Sequence, residues 1–88
     1  MGDDVEKSIG LDRLPEGRLG YVQQINCGEE LSERLKAMGL LRGTAVECVA
    51  MPWQGRPGAY LAKGALIALR AADCEKIAVR EELGGAWD

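Results

Sequence analysis

The stretch Leu31-Ser32-Glu33-Arg34-Leu35-Lys36-Ala37-Met38-Gly39-Leu40-Leu41-Arg42-Gly43 constrains this chain most, because it carries the face, the ending and the exit of one short helix. Leu31, Leu35 and Met38 fall at i, i+4 and i+7, so a helical coil gathers them on one side. Glu33, Arg34, Lys36 and Ala37 take the other sides. Gly39 stands where a helix ends in a left-handed residue that glycine adopts at little steric cost. With Gly39 at C′, Leu40 is C″ and Leu35 is C3, the pair that makes the apolar contact of a Schellman ending. Gly43 then marks a turn. The spacing predicts one helix that buries a single face.

No other segment reads as a full helix. Arg18 to Ile25 is rich in β-formers, but Tyr21 and Val22 are adjacent, which predicts a strand with a bulge or one buried on both faces. Thr44 to Met51 alternates, with Val46, Cys48 and Ala50 on one side and Ala45, Glu47, Val49 and Met51 on the other, where Glu47 meets water. Pro52-Trp53-Gln54-Gly55-Arg56-Pro57-Gly58 is a connecting loop. Ala59 to Lys63, Gly64 and Ala65 to Arg70 predict a strand, a tight turn and a strand, with Ile67 and Leu69 on one face. Ala71 to Lys76 suits a single helical turn, and Ile77 to Arg80 a last strand with Ile77 and Val79 inward. Upstream, Ile9, Leu11 and Leu14 are apolar, Leu14-Pro15-Glu16-Gly17 predicts a turn, and the leucines are expected to pack against the barrel mouth.

Strand, helix, then short strands joined by glycine turns is the pattern of a small curved sheet closed on itself. The fold class predicted is mainly β, a small SH3-like barrel with one short helix inserted after the first strand. A five-stranded OB-type barrel places its helix later in the order. The division expected is a flexible leader over 1–7, a domain over 8–82 and a flexible tail over 83–88.

The 88 residues suffice for one domain with a modest core. No apolar run reaches the length of a membrane span, and the acidic N-terminus does not resemble a secretory signal, which points to the cytoplasm. A formal net charge of -3 disfavours general attraction to nucleic acid or anionic lipid. The three cysteines form no CxxC pair, and the histidine count is 0, which removes the usual general base and the commonest metal ligand. Cys27, Cys48 and Cys74 read as small buried hydrophobes, with a redox or metal-binding role as the alternative. Glu29-Glu30 and Glu81-Glu82 are adjacent pairs whose side chains diverge, and no phosphate-binding glycine motif is present. Ser8, Ser32 and Thr44 lack a histidine partner. The chain is expected to be no enzyme and to hold no cofactor and no metal.

Binding is therefore the reading left. Trp53, Arg56 and Pro57, with Tyr60 beside them, form the first candidate surface, because tryptophan and arginine dominate interface hot spots. The alternative for Trp53 is a plug over the barrel end. Leu41, next to the capping Leu40 but with no assigned burial, is a second candidate. An uncovered edge strand or apolar surface would favour homo-oligomers.

Taken in order, Leu14-x-x-Gly17, Gly20-x-Val22-x-x-Ile25, Arg34-Leu35-x-x-Met38-Gly39-Leu40-x-x-Gly43, Pro52 and Pro57 around a glycine, Ile67-Ala68-Leu69-Arg70 and Ile77-x-Val79 resemble the FeoA family. The resemblance runs from Ser8 to Arg80. It implies a cytoplasmic SH3-like module that assists a ferrous-iron transporter, the membrane GTPase FeoB, by binding it. A similar domain closes metal-dependent repressors, so a metal-responsive accessory role is the alternative, with nucleic-acid binding behind it. The resemblance carries no metal ligands over to this sequence.

Overall fold

The structure is a computed structural model that describes residues 8–26 and 28–82. The leader and tail expected at 1–7 and 83–88 lie outside the described residues, as does Cys27. The elements run β1 (Ser8–Gly10), a 3-10 turn (Leu11–Arg13), β2 (Leu19–Ile25), α1 (Glu29–Ala37), β3 (Ala45–Ala50), β4 (Gly58–Ala62), β5 (Ala65–Leu69), α2 (Ala71–Cys74) and β6 (Ile77–Glu81).

One antiparallel sheet holds all six strands in the order β1-β6-β2-β3-β4-β5. The fold class is the one predicted, mainly β with one short helix of consequence, and two details differ. A strand precedes the first one foreseen: Ser8–Gly10 pairs with β6, matching Ile9 to Val79, so α1 follows the second strand by count. The sheet also curls without a ladder joining β5 back to β1 among the described residues. Tyr60 of β4 nevertheless donates its hydroxyl to the Leu11 carbonyl just past β1, at 3.3 Å. In a flat sheet four strand spacings, about 19 Å, would separate β1 from β4. The two ends are therefore drawn over a common core.

That core takes one side chain from nearly every element. Leu11, Leu14, Val22, Leu35, Leu40, Val46, Cys48, Tyr60, Ile67, Leu69, Cys74, Ile77 and Val79 are buried, with Leu31, Met38, Ile9 and Ile25 packed against them. Alternation on β3 places Val46 and Cys48 inside, and on β5 it places Ile67 and Leu69 inside. Each buried leucine or isoleucine contributes about 1.5–3 kcal/mol over an exposed one. The bulge foreseen in β2 occurs between Val22 and Gln24, where its register on β6 shifts.

Helix α1 starts at Gly28 without a side-chain cap, while Glu29 and Glu30 set negative charge against its unpaired amides. Its end is the Schellman motif predicted. The Leu40 amide donates to the Leu35 carbonyl at 2.8 Å, and the Gly39 amide to the Lys36 carbonyl at 2.9 Å. Gly39 has φ +90, and Leu35 and Leu40 are fully buried against the core. This ending fixes where Leu41 emerges.

Candidate functional site

Two surfaces carry the predicted binding residues, and they lie at opposite ends of the β3–β4 pair. The first is the connection from β3 to β4. Trp53 and Arg56 form an antiparallel bridge, with the Arg56 amide donating to the Trp53 carbonyl at 2.8 Å and the Trp53 amide to the Arg56 carbonyl at 3.2 Å. Gln54 and Gly55 between them have φ 44 and φ 83. Positive φ at both central residues is what a type I′ hairpin turn requires. The Pro-rich loop is thus an ordered hairpin tip, and Trp53 is 66% exposed rather than folded over the barrel end. Arg56 and Pro57 are exposed beside it.

Behind Trp53 the arm continues its apolar character. Val49 and Met51 are exposed and alternate with half-buried Ala50 and Pro52, so Val49, Met51 and Trp53 share the outer side. A register shift on β3 between Cys48 and Ala50 bends the arm at Val49. The Glu16 carboxylate accepts from the Met51 amide at 3.4 Å and anchors the base of the arm. Leu61 and Leu66, paired across β4 and β5, are exposed on the same sheet. Periodicity placed Val49 and Met51 on the wet side with Glu47 but gave no reason to group them with Trp53.

Tyr60 does not belong to this surface. It is fully buried, because its register partner is the inward-facing Cys48. Its hydroxyl donates to the Leu11 carbonyl and accepts the Cys74 thiol at 3.6 Å. Burial, then that thiol contact, raises the tyrosine far above its usual range. Burial also pushes Cys74 up to about 11, against the opposing pull of the Tyr60 hydrogen bond. Cys48 is raised by burial and by the nearby Glu16 and Glu47. Thiols held protonated in this way are poor nucleophiles and poor metal ligands. Among the described residues, no group of three or more His, Cys, Asp or Glu side chains is placed to hold a metal ion.

The second surface surrounds Leu41, which is 41% exposed. The segment from Leu40 to Thr44 is a tight turn closed from the Thr44 amide to the Leu41 carbonyl at 2.9 Å. The Thr44 hydroxyl accepts from the Leu41 amide at 3.1 Å and donates to the Gly39 carbonyl at 3.2 Å. The Gly43 amide donates to the Val22 carbonyl at 2.7 Å and ties the turn to β2. Leu41 therefore projects from a rigid base between two clefts. One, of about 420 Å³, is lined by Gln23, Gln24, Ile25, Lys36, Leu41 and Arg42. The other, of about 540 Å³, is lined by Leu41, Arg42, Gly43, Thr44, Ala45 and Lys63. The sequence singled out Leu41 but not the cations, which come from three separate elements.

The FeoA domain matches this chain over residues 9–81. No curated protein matches it in sequence. The solution structure of the FeoA protein from Chlorobium tepidum is 25% identical, with a TM-score of 0.79 over 86% of this chain and 72% of that one. The FeoA-like protein of Clostridium acetobutylicum is 24% identical, with a TM-score of 0.75 over 93% of this chain and 95% of that one. FeoA of Stenotrophomonas maltophilia, complexed with zinc, is 23% identical with a TM-score of 0.69 over 84% of this chain and 95% of that one. That protein is described as a prokaryotic SH3 domain protein, with a role as a ferrous iron transport activating factor in view. The SH3-like fold is common to these structures and this one, and with the domain match spanning nearly all the described residues, the chain belongs to the FeoA family.

Proposed function

We propose that this protein is a cytoplasmic, non-enzymatic binding module that acts on a FeoB-type membrane GTPase by direct protein contact, with the hairpin tip as its docking arm. The observation that carries the reading is Trp53, 66% exposed at the end of a tip whose backbone is held by two hydrogen bonds. An indole presented on a fixed backbone loses little conformational freedom on binding and buries a large apolar area. Arg56 adds a planar fork for a carboxylate, and Pro57 stiffens the return strand. Met51 and Val49 extend the apolar contact along the arm. The family supports the transport setting, and no described helix is long and apolar enough to cross a membrane, so the transporter supplies the membrane part.

The test is calorimetry of the whole chain against the cytoplasmic GTPase domain of a FeoB transporter. Trp53→Ala with Arg56→Ala is expected to weaken binding at least about thirtyfold, the scale of a hot-spot loss of 2 kcal/mol or more. The thermal midpoint should stay within a few degrees of the parent. Unchanged affinity with an intact fold would show that the arm is not the docking surface.

A further inference from the structure

We propose that the paired clefts around Leu41 form a second binding site, which receives an extended acidic segment of a partner protein carrying an apolar residue. The reading does not depend on the identity of the partner engaged by the hairpin tip. Three observations converge on it.

The first is charge. The chain has a formal net charge of -3, yet among the described residues the two clefts are lined by Lys36, Arg42 and Lys63 and by no acid. Lys36 meets Glu33 on the outer side of α1 at 3.6 Å, an exposed pair. Among the described residues, neither Arg42 nor Lys63 has an ion pair or a side-chain hydrogen bond. Lys36 and Arg42 thus face one cleft, and Arg42 and Lys63 the other, with no carboxylate of the described residues lining either.

The second is an open strand edge. Pairing of β2 with β3 covers Leu19 to Tyr21 and is extended by the Val22 amide donating to the Thr44 carbonyl at 3.0 Å. Beyond Val22 the chain of β3 has turned away, and Gln23, Gln24 and Ile25 have no ladder partner on that side among the described residues. This free edge is one wall of the 420 Å³ cleft. An extended segment added there gains main-chain hydrogen bonds while its alternate side chains face the cleft.

The third is the floor. Leu41 is exposed between the clefts, and Ile25 contributes a second apolar side chain. An apolar residue of the segment covers Leu41 while flanking carboxylates reach Arg42, Lys36 and Lys63. Among the described residues, the lining contains no aromatic ring on which a nucleobase would stack. A peptide strand fits the combination best.

The experiment follows backbone amide shifts of the full chain as peptides are added. The set holds one leucine among Asp and Glu, with isomers in which Asn or Lys replaces the acids; a thymidine oligonucleotide and phosphatidylglycerol vesicles are further probes. Acidic peptides are expected to shift Gln23 to Ile25, Lys36, Leu41 to Ala45 and Lys63, and to bind at least about tenfold tighter than the Asn isomers. Arg42→Glu with Lys63→Glu should remove that preference with the spectrum still folded, while Arg13→Glu, at a residue that lines neither cleft, should not. The proposal is overturned if no acidic peptide shifts these amides at about 1 mM, the weak limit of specific recognition. It is equally overturned if the Asn or Lys isomers bind as well, if the charge reversals leave the affinity unchanged, or if the oligonucleotide or the vesicles shift the same amides more strongly.

Discussion

The two ends of the β3–β4 pair use one kind of turn for opposite purposes. At the tip, Gln54-Gly55 has positive φ at both positions, and at the other end Lys63-Gly64 does so too, with φ 52 and φ 79. Both meet the requirement of a type I′ hairpin. The tip carries Trp53 away from the core on a backbone closed by the Trp53–Arg56 bridge and anchored at its base by Glu16. At the opposite end the Lys63 stem lies over the end of α1, its Cδ 3.4 Å from where a Cβ on Gly39 would stand. One end projects an apolar group, and the other gathers charge around a recess. A projecting indole suits insertion into a partner's pocket, whereas a recess with an open strand edge suits receiving a segment. The local turn does not decide between these outcomes; what packs beside it does.

The largest expected effect tests how firmly the recessed end is built. Gly39 at φ +90 ends α1, and a β-branched residue there both strains the backbone and presses on Lys63. Gly39→Val is expected to cost about 2–4 kcal/mol, enough to unfold much of a domain of ordinary stability. Leu41→Ser, two residues further on and exposed, should change stability by about 0.5 kcal/mol or less. Thermal unfolding of both variants checks the contrast, and equal losses would mean that the Leu41 side chain supports the fold rather than only lining the clefts.

Much of this end was legible in the sequence, because a helix period, a cap and a turn are all local. The spacing of Leu35, Gly39 and Leu40 sufficed to place the ending, which the Leu40 amide closes on the Leu35 carbonyl. The three-residue β1 was not legible, since Ser8, Ile9 and Gly10 show no alternation and pair with residues some seventy positions later, Ile9 with Val79. Tyr60 was misplaced for a related reason: Tyr60 and Leu61 are adjacent and both apolar, and only the register against Cys48 decides which turns inward. A stronger hint was available in Gly58-x-Tyr60-x-Ala62, where small residues flank an aromatic at period two and leave room for it on the inner face. The cations of the clefts were invisible as a group, because Lys36, Arg42 and Lys63 meet only through the fold.

Beneath both ends lies the Tyr60, Cys74 and Leu11 network, and its titration asks whether the ends unfold together. Cys74 is raised from 9.0 to about 11 and Tyr60 is raised as well. Their folded forms hold protons that the unfolded chain releases first, so stability is full below the unfolded values and falls as pH rises through the folded ones. Denaturant midpoints should be level from neutral pH to about pH 9 and then decline toward pH 11. Cys74→Ala should lower stability at neutral pH and flatten the early part of that decline. Amide signals of the tip and of the Leu41 turn should vanish at one midpoint, since β4 serves both; loss of the tip alone would break the comparison by making the arm an independent unit.

The smallest effect separates the two turns most directly. A left-handed residue that is not glycine costs about 1–2 kcal/mol, and asparagine carries that conformation at a reduced cost. Gln54→Asn should therefore stabilise the protein by about 0.5 kcal/mol, or a rise of about 2–4 °C in Tm for a domain of this length. Lys63→Asn makes the same backbone gain but gives up the stem packed over Gly39, so its net change should lie near zero. Scanning calorimetry of the two variants side by side resolves a difference of this size. If both gain equally, the Lys63 stem contributes nothing at the end of α1, and the distinction between a free tip and an anchored base fails at the residue that carries it.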